Sequence, residues 1–541
     1  MSTRVTDRMM SNSAKYHINQ NKAYLDKLSV QESSEKKINT PSDDPVTAIR
    51  SLRFRSSLGD INQYLNRNLS DAKSWVESTV TALTTARDLM TSLKQETTSG
   101  TTTTNTISDC KTYLDEMKAL VDEFYYVGNS TNEDRYLFTG YRTSDSLTIS
   151  EQDLNLRANE VGSGNDEYDY IIREEFTADN ISSYSFLTKS VSSADVTIAS
   201  GGTGTATVDD ETDINLVDCY RIRLAYDDLK ATASTTASLG TETLTTLQLE
   251  LLKSDGTYDA YNVTIITDDT TMTSNDLSND EVFYNTTTGM LIFGDNVRKA
   301  MLTASDNASA LNRTGKDYSG IRFTYEKNEW SAGDLKPEHY FDCVDTALKN
   351  AGVSSTNLIY SNHEQAMNYS VGANQQIQVN INANQAFNPQ VRRYIDEISD
   401  AIDAAESAET TVNSIKSAME GLDESLDAYK NLNYLLAAAQ KELDCWTNKV
   451  NSLFANGMSE VDGYYNEVNL AATESGTVQK RVELITSRLT ENQATVKEQA
   501  SDNENIDIAD LAIDIQEADL VYQAALLVTG RINQQSLLNY I

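Results

Sequence analysis

The chain of 541 residues carries 44 Lys and Arg against 81 Asp and Glu, which gives a formal net charge of −37 at pH 7. So acidic a protein repels nucleic acid and anionic membrane surfaces, and we expect neither as a partner. No segment approaches the roughly 20 apolar residues of a membrane span. The first residues lack the apolar core of a signal peptide, so the sequence does not predict a conventional Sec export route.

The cysteines and histidines argue against a metal site. The four cysteines lie about a hundred residues apart, no CxxC pair occurs, and there are only three histidines. We therefore expect no metal and no cofactor. Free, buried thiols are the preferred interpretation for Cys110, Cys219, Cys343 and Cys445.

The first 40 residues predict a helix that needs a partner. Its apolar residues, Ile18, Leu25 and Leu28, are few, so the helix would be marginal alone. Seven basic and four acidic residues give residues 1–40 a net charge of +3, whereas one Arg and seven acids give residues 501–541 a net charge of −6. The two ends could therefore pair, within one molecule or between neighbours. The alternative is a solvated helix face at each end.

The segment Ile38-Asn-Thr-Pro-Ser-Asp-Asp-Pro45 predicts a break between two helices. Pro41 forces the residue before it into an extended conformation. Asp44 can cap the next helix, Pro45 suits its first turn, and the paired acids lie in the favourable field of the helix start. We expect Pro41, Asp43, Asp44 and Pro45 to fix the angle between the two helices.

Two long helices are predicted next. Apolar residues at sevenfold spacing predict one helix over residues 45–96, which the Thr-rich run at residues 97–104 ends. A further amphipathic helix is predicted over residues 107–128.

The period then changes from helical to alternating, which indicates strands. The clearest candidates are residues 168–172, 220–224 and 320–325. Residues 247–252 and 261–266 flank Ser254-Asp-Gly-Thr257, the best hairpin signal in the chain.

Helical periodicity returns after the strands. The pattern predicts a helix over residues 391–451, a turn at Asn456-Gly457, a strong heptad repeat over residues 461–496 and a final amphipathic helix over residues 508–540. The residues of the final helix that we expect to pack against partners are Leu511, Ile515, Leu520, Leu527 and Ile532.

We predict an α+β protein without catalytic activity, because no GxSxG, Walker-type or HExxH motif occurs. A long helical bundle, formed by the N- and C-terminal segments, would carry a β-rich inserted outer domain. The predicted domains are residues 1–44 with 501–541 as terminal assembly helices, residues 45–145 with 391–500 as the bundle core, and residues 146–390 as the insert.

Several segments together resemble the flagellin superfamily. The break segment that ends in Pro45 resembles its signature between the first two helices, and Asp134-Arg-Tyr-Leu-Phe-Thr-Gly-Tyr141 resembles the segment where its helical core gives way to the insert. Tyr369-Ser-Val-Gly and the C-terminal helix from Asp510 are also similar. Filament flagellins usually carry Ala and Gly after the paired acids, so Pro45 favours the branch of hook–filament junction proteins.

This resemblance implies a structural part of the extracellular bacterial flagellum. Members leave the cell unfolded through the flagellar type III apparatus, and their terminal helices order into coiled coils on assembly. A ring of about eleven subunits would join the layer of hook-associated protein 1 to the flagellin filament. A dedicated export chaperone is expected to cover the C-terminal helix.

Three alternatives stay open at this point. A filament flagellin shares both ends of the chain. A surface glycan-binding or adhesive module could occupy residues 146–390. An enzyme in the insert is the weakest alternative, because no site residues converge in the sequence.

Overall fold

The computed structural model describes residues 7–102, 105–161, 168–231, 236–239, 242–253, 257–272, 277, 281–302, 318–347, 359–361 and 365–538. It confirms the predicted α+β class, with long helices towards both ends and strands between them. Among these residues, no helix is both long and apolar enough to cross a membrane.

The described α-helices are α1 (Asp7–Ser34), α2 (Pro45–Gln63), α3 (Leu69–Gly100), α4 (Ile107–Gly128), α5 (Glu151–Val161), α6 (Ser193–Ala199), α7 (Asp295–Leu302), α8 (Ala383–Ala386), α9 (Gln390–Met419), α10 (Asp427–Glu504) and α11 (Ile508–Leu538). The described strands are β1 (Thr131–Asn132), β2 (Arg135–Tyr136), β3 (Tyr170–Phe176), β4 (Ile181–Leu187), β5 (Leu216–Arg223), β6 (Thr236–Leu239), β7 (Glu242–Thr245), β8 (Gln248–Lys253), β9 (Tyr258–Asn262), β10 (Thr264–Ile266), β11 (Val282–Asn285), β12 (Met290–Phe293), β13 (Tyr318–Glu326), β14 (Asp342–Asp345), β15 (Ile359–Tyr360), β16 (Asn368–Gly372) and β17 (Gln375–Gln378).

The chain divides into two compact units. Unit 1 comprises Met1–Lys73, Asn368–Ile377 and Gln479–Ile541, and unit 2 comprises Ser74–Met367 and Gln378–Val478. Unit 1 therefore holds the helices nearest both chain ends. Unit 2 holds the strand-rich middle with its own helical segments.

The helix predicted over residues 45–96 is interrupted in unit 1. A π-helical turn, Tyr64–Asn68, separates α2 from α3, and the Leu69 N–H bonds to the Tyr64 carbonyl five residues back. The Asn68 amide donates to the Ser370 carbonyl of β16 at 2.6 Å. The sevenfold spacing of apolar residues does not reveal such a turn. A π-helical turn adds one residue locally, and the helix continues on both sides of it.

The helices of unit 2 follow the predicted heptads. In α3 the residues at alternating three- and four-residue spacing, from Val76 to Thr97, are buried. The helix was predicted to end at residue 96 but continues into the Thr-rich run as far as Gly100, where the ring of Phe454 lies 2.3 Å from the position that a Cβ would take. Helix α4 buries Cys110, Leu114 and Met117 on the predicted face.

Two predictions about the return helix are wrong. The turn predicted at Asn456-Gly457 is helical, because Gly457 is there to make room for the Tyr394 hydroxyl of α9, which lies where its Cβ would point. The helix predicted over residues 391–451 is also not continuous. It breaks between Met419 and Asp427, where Gly421 adopts a φ of +84° that other residues rarely take. Helix α10 then runs through 78 residues without interruption.

Two main sheets make up the strand-rich part of unit 2. One has five strands in the order β10-β11-β12-β5-β4, and the other has six in the order β15-β14-β3-β13-β8-β9. The pair β10–β11 is parallel, and the other pairs in these two sheets are antiparallel. The strands predicted at residues 168–172, 220–224 and 320–325 correspond to β3, β5 and β13.

The predicted hairpin is confirmed only in part. Strands β8 and β9 pair in antiparallel fashion, with Leu249 opposite Tyr261, while turn residues 254–256 lie outside the described part of the chain. The second strand was predicted over residues 261–266, but β9 ends at Asn262. Residues 264–266 instead form β10, because they pair with β11 of the other sheet.

The cysteines of unit 2 are free thiols. Cys110, Cys219 and Cys343 are buried, and Cys445 is half-buried. Burial raises the pKa of the Cys219 thiol to about 12.

Candidate assembly interface

Helices α1 and α11 pack along one another in unit 1. Leu28, Leu511 and Ala518 form the buried centre, with Leu28 only 4 % exposed and Leu511 only 1 % exposed. Leu25 and Ile515 pack against this centre and are half-buried. On α11, the residues that are at least half-buried are spaced alternately by four and three, which is the seam of a coiled coil; they are Leu511, Ile515, Ala518, Tyr522, Ala525 and Thr529.

The other face of α11 is apolar and exposed. Leu520 is 71 % exposed and Leu527 is 70 % exposed. Ile513, Val521 and Val528 are also largely exposed. We call this set, Ile513, Leu520, Val521, Leu527 and Val528, the open row.

The predicted assembly residues therefore fall into two groups. Leu25, Leu28, Leu511 and Ile515 lie in the seam within the chain, and Ile18 of α1 is half-buried. Leu520 and Leu527 lie in the open row. Ile532 belongs to α11, but its side chain lies outside the described part of the chain.

The predicted hinge is a turn followed by a capped helix start. The Asp43 N–H donates to the Thr40 carbonyl at 3.0 Å across a turn with Pro41 in its second position. The Asp43 carboxylate accepts from the Thr40 and Asn39 N–H groups at 2.9 and 3.1 Å, and these backbone hydrogen bonds lower its pKa.

Asp44 is the N-cap of α2, as predicted, with Pro45 in the first turn. Its carboxylate accepts from the Val46 N–H at 3.0 Å and the Thr47 N–H at 3.3 Å. A further hydrogen bond from the Thr47 hydroxyl is the main reason that the pKa of Asp44 is lowered. Two orphan backbone donors of the helix are thus satisfied.

A second feature, which the sequence analysis missed, lies at the end of α10. The Glu504 carboxylate accepts two hydrogen bonds from the Arg55 guanidinium, at 3.0 and 2.9 Å. It also pairs with the Lys36 ammonium at 3.2 Å and accepts from the Ser51 hydroxyl. These contacts, the Arg55 hydrogen bond first, lower the pKa of Glu504 to about 2. We call Glu504 with Lys36, Ser51 and Arg55 the Glu504 clamp.

Backbone pairing reinforces the clamp. The Lys37 N–H donates to the Glu504 carbonyl at 2.8 Å, and the Ile506 N–H donates to the Glu35 carbonyl at 3.1 Å. The segment between α1 and α2 is thus held to the segment between α10 and α11. The opposite charges of the two chain ends were the signal for such a pairing, and Lys36–Glu504 is one pair of that kind within the chain.

Unit 1 presents apolar surface along one face of α11. Within the described residues, no group of three or more His, Cys, Asp or Glu side chains is placed to hold a metal ion. What unit 1 presents is a small buried seam, two paired connecting segments and the open row. Exposed apolar side chains arranged along one helix face favour burial against another protein surface.

Both ends of the chain match known protein families. Residues 5–143 match the bacterial flagellin N-terminal helical region, and residues 458–541 match the bacterial flagellin C-terminal helical region. No curated protein matches the chain.

Several solved structures match the chain at low similarity. A proposed flagellar hook-associated protein from Vibrio parahaemolyticus is 11 % identical, covers 86 % of this chain and is itself covered completely, with a TM-score of 0.33. FlgL from Xanthomonas campestris is 12 % identical over 83 % of this chain and 99 % of its own, with a TM-score of 0.27. The flagellar junction protein FlgL from Legionella pneumophila is 12 % identical over 82 % of this chain and all of its own, with a TM-score of 0.21.

The assignment rests on the two terminal matches. They cover α1 to α4 at one end, and at the other they cover the last part of α10 with all of α11. These are the helices that form the seam, the Glu504 clamp and the open row. Both helical ends of the chain, residues 5–143 and 458–541, match bacterial flagellin helical regions.

Proposed function

We propose that this protein joins the flagellar hook to the flagellin filament, in the role of hook-associated protein 3. The open row on α11 is the observation that carries the proposal, because a flagellin-type C-terminal helix with Leu520 and Leu527 so exposed is suited to pack against neighbouring subunits. In the break segment, Pro45 follows the paired acids, where filament flagellins usually carry Ala and Gly. This difference favours a hook–filament junction protein over a filament flagellin. The local structure of the segment, a capped start of α2, agrees with that resemblance.

Assembly would proceed by burial of marginal helices. Among the described residues, the buried centre of the α1–α11 seam consists of three side chains, so these helices gain stability when neighbours cover the open row. Ile18, Leu25 and Leu28 would support the contact from α1. Pro41, Asp43, Asp44 and Pro45 would set the direction in which α1 leaves α2.

The proposed partners follow from this role. A ring of about eleven copies would contact hook-associated protein 1 on one side and flagellin on the other. An export chaperone would cover α11 before assembly, since its open row would otherwise meet solvent. The chain would leave the cell unfolded through the flagellar export apparatus, act outside it and catalyse no reaction.

Deletion of the gene tests the proposal. We expect cells with bare hooks and with flagellin released into the medium, because flagellin would be exported without a junction on which to polymerise. Electron microscopy of the hooks and an immunoblot of the medium measure the two effects. Re-expression of the wild-type chain is the control and should restore filaments.

Two other outcomes would contradict the proposal. Bare hooks with no flagellin in cells or medium would identify the chain as the filament subunit. Normal filaments in the deletion strain would exclude both roles.

A further inference from the structure

A glutamate side chain lies in the hydrophobic core of unit 2. Glu174 belongs to β3, where Tyr170, Ile172 and Phe176 share its face of the strand, because alternate residues of a strand point to the same side. These three side chains belong to one buried apolar cluster, which includes residues of both main sheets. Glu174 is only 3 % exposed. Its carboxyl group therefore faces apolar side chains and not solvent.

Two hydrogen bonds reach the Glu174 carboxyl group, and both end on the same oxygen. The Ala225 N–H donates to Oε1 at 2.8 Å, and the Tyr325 hydroxyl also donates to Oε1. Among the described residues, none donates to Oε2, and none forms an ion pair with the carboxyl group. This pattern suits a neutral carboxylic acid, in which one oxygen accepts and the other carries the proton. A buried carboxylate would need donors on both oxygens.

The hydroxyl groups around Glu174 carry no charge near neutral pH. Tyr325 comes from β13, and Tyr226 follows the residue that donates its N–H. Burial raises the pKa of both tyrosines well above the usual value. Neither side chain can therefore balance a negative charge on Glu174.

Arg393 of α9 is the cation that acts on Glu174, but other acids already hold it. Its guanidinium is ion-paired with Asp227 at 2.9 Å and with Asp396 at 3.1 Å. Burial outweighs this cation and the two hydrogen bonds, and it raises the pKa of Glu174 to about 7. The geometry and the electrostatics thus agree on a protonated side chain.

We propose that Glu174 makes the stability of unit 2 depend on proton uptake: the core folds around a neutral carboxylic acid and becomes less stable as the pH rises from about 5 to about 8. An unfolded glutamate ionises at about pH 4.3. Above that pH, folding must return a proton to Glu174, and the cost grows until the folded carboxyl group also ionises near pH 7. This device needs only the fold of unit 2 and does not depend on the proposed role at the junction.

Urea unfolding of the full chain from about pH 5 to about pH 8, followed by tryptophan fluorescence, tests the proposal. All three tryptophans, Trp75, Trp330 and Trp446, belong to unit 2, so the signal reports that unit. Glu174→Gln keeps the size of the side chain and removes its titration. We expect the unfolding constant of the wild type, relative to that of Glu174→Gln, to rise about tenfold per pH unit between about pH 5 and 6.5 and to level off near about pH 8.

Glu175→Gln is the matched control, because it removes a carboxyl group from the next residue of β3. The Glu175 side chain is 60 % exposed and pairs with Arg322 at 2.6 Å. This variant should keep the pH dependence of the wild type. Burial raises the pKa of Asp400 in unit 2 to about 6. Its titration is common to the wild type and the variants, so it cancels when they are compared.

Tyr325→Phe provides a second test, which decides if Glu174→Gln does not fold. The Tyr325 hydrogen bond favours the ionised form of Glu174. Without it, the difference in stability from the wild type should be constant up to about pH 7 and should change between about pH 7 and 9, because Glu174 then ionises at higher pH.

Three results would overturn the proposal. The first is a ratio of wild type to Glu174→Gln that stays constant between about pH 5 and 8. The second is loss of the pH dependence in Glu175→Gln to the same extent as in Glu174→Gln. The third, which decides if Glu174→Gln is unfolded, is a constant difference between Tyr325→Phe and the wild type up to about pH 9.

Discussion

Asp44 and Glu504 each anchor one end of a helix through side-chain hydrogen bonds. Asp44 and Pro45 could be assigned to the start of α2 because a cap acts on backbone groups two or three residues away. Glu504 gave no comparable signal, since its partners Ser51 and Arg55 are about 450 residues distant in the chain. Its role emerges only when the two connecting segments lie side by side.

The Glu504 clamp should stabilise the paired connecting segments. In Glu504→Gln, we expect amide hydrogen exchange at Lys37 and Ile506 to become about tenfold faster near pH 7, which corresponds to about 1–2 kcal/mol for charge-assisted hydrogen bonds with half-exposed partners. Glu498→Gln, an exposed change in the same helix, is the control. Equal exchange in all three proteins would show that the clamp contributes nothing.

The same clamp predicts a pH dependence. The pKa of Glu504 is lowered to about 2, below the value of about 4.3 for an unfolded glutamate. Its stabilisation is therefore fully present above about pH 5 and is lost as the pH falls towards 2. The difference in opening free energy between wild type and Glu504→Gln should shrink over that range, and a constant difference would contradict this assignment.

Gly457 is a second residue whose role is set by a distant contact. A Cβ there would lie 1.7 Å from the Tyr394 hydroxyl, so Gly457→Ala should destabilise unit 2 by about 1–3 kcal/mol through overpacking. Gly463→Ala in the same helix is the matched control, because nothing lies within 4 Å of its Cβ position. That control should be neutral or stabilising by up to about 1 kcal/mol. Urea unfolding measures both, and similar effects of the two changes would contradict the packing argument.

Helical periodicity predicted which elements exist better than where they end. The sevenfold spacing gave α3, α4 and the heptads of α10, since burial of one face repeats along a helix. It ran through the break near Gly421 without a signal, because Ile415, Leu422 and Tyr429 keep the spacing on both sides. A glycine that allows a break and one that allows close packing, as at Gly457, look alike in a sequence.

The two faces of α11 should respond differently to charge. Leu520→Asp and Leu527→Asp change exposed residues of the open row, so we expect the purified chain to keep its circular dichroism spectrum and melting temperature. Both variants should fail to restore filaments in the deletion strain, because a carboxylate would be buried in the contact between subunits. Motility and electron microscopy provide the measurement.

Asn492→Asp supplies the control for these two variants. It adds the same charge at an exposed polar position of α10, outside α11 and its open row, and it should restore filaments. Normal filaments with Leu520→Asp or Leu527→Asp would mean that the open row is not an assembly contact.

At the scale of the whole molecule, the sequence predicted the class of fold and the joining of distant helical ends around a strand-rich middle. It did not predict how the strands are shared between sheets: residues 264–266 leave the β8–β9 hairpin to pair with β11. Both β9 and β11 are close to residues 264–266 in the sequence, so the choice between the two sheets depends on packing of the finished core. The similarity to flagellins comes from the helical ends of the chain.

The position of the protein in the flagellum tests the central claim most directly. Immunogold electron microscopy of intact flagella, with an epitope-tagged chain that supports motility, measures it. The proposed role predicts label in a single short band between hook and filament. Label along the whole filament, or none on flagella, would contradict it.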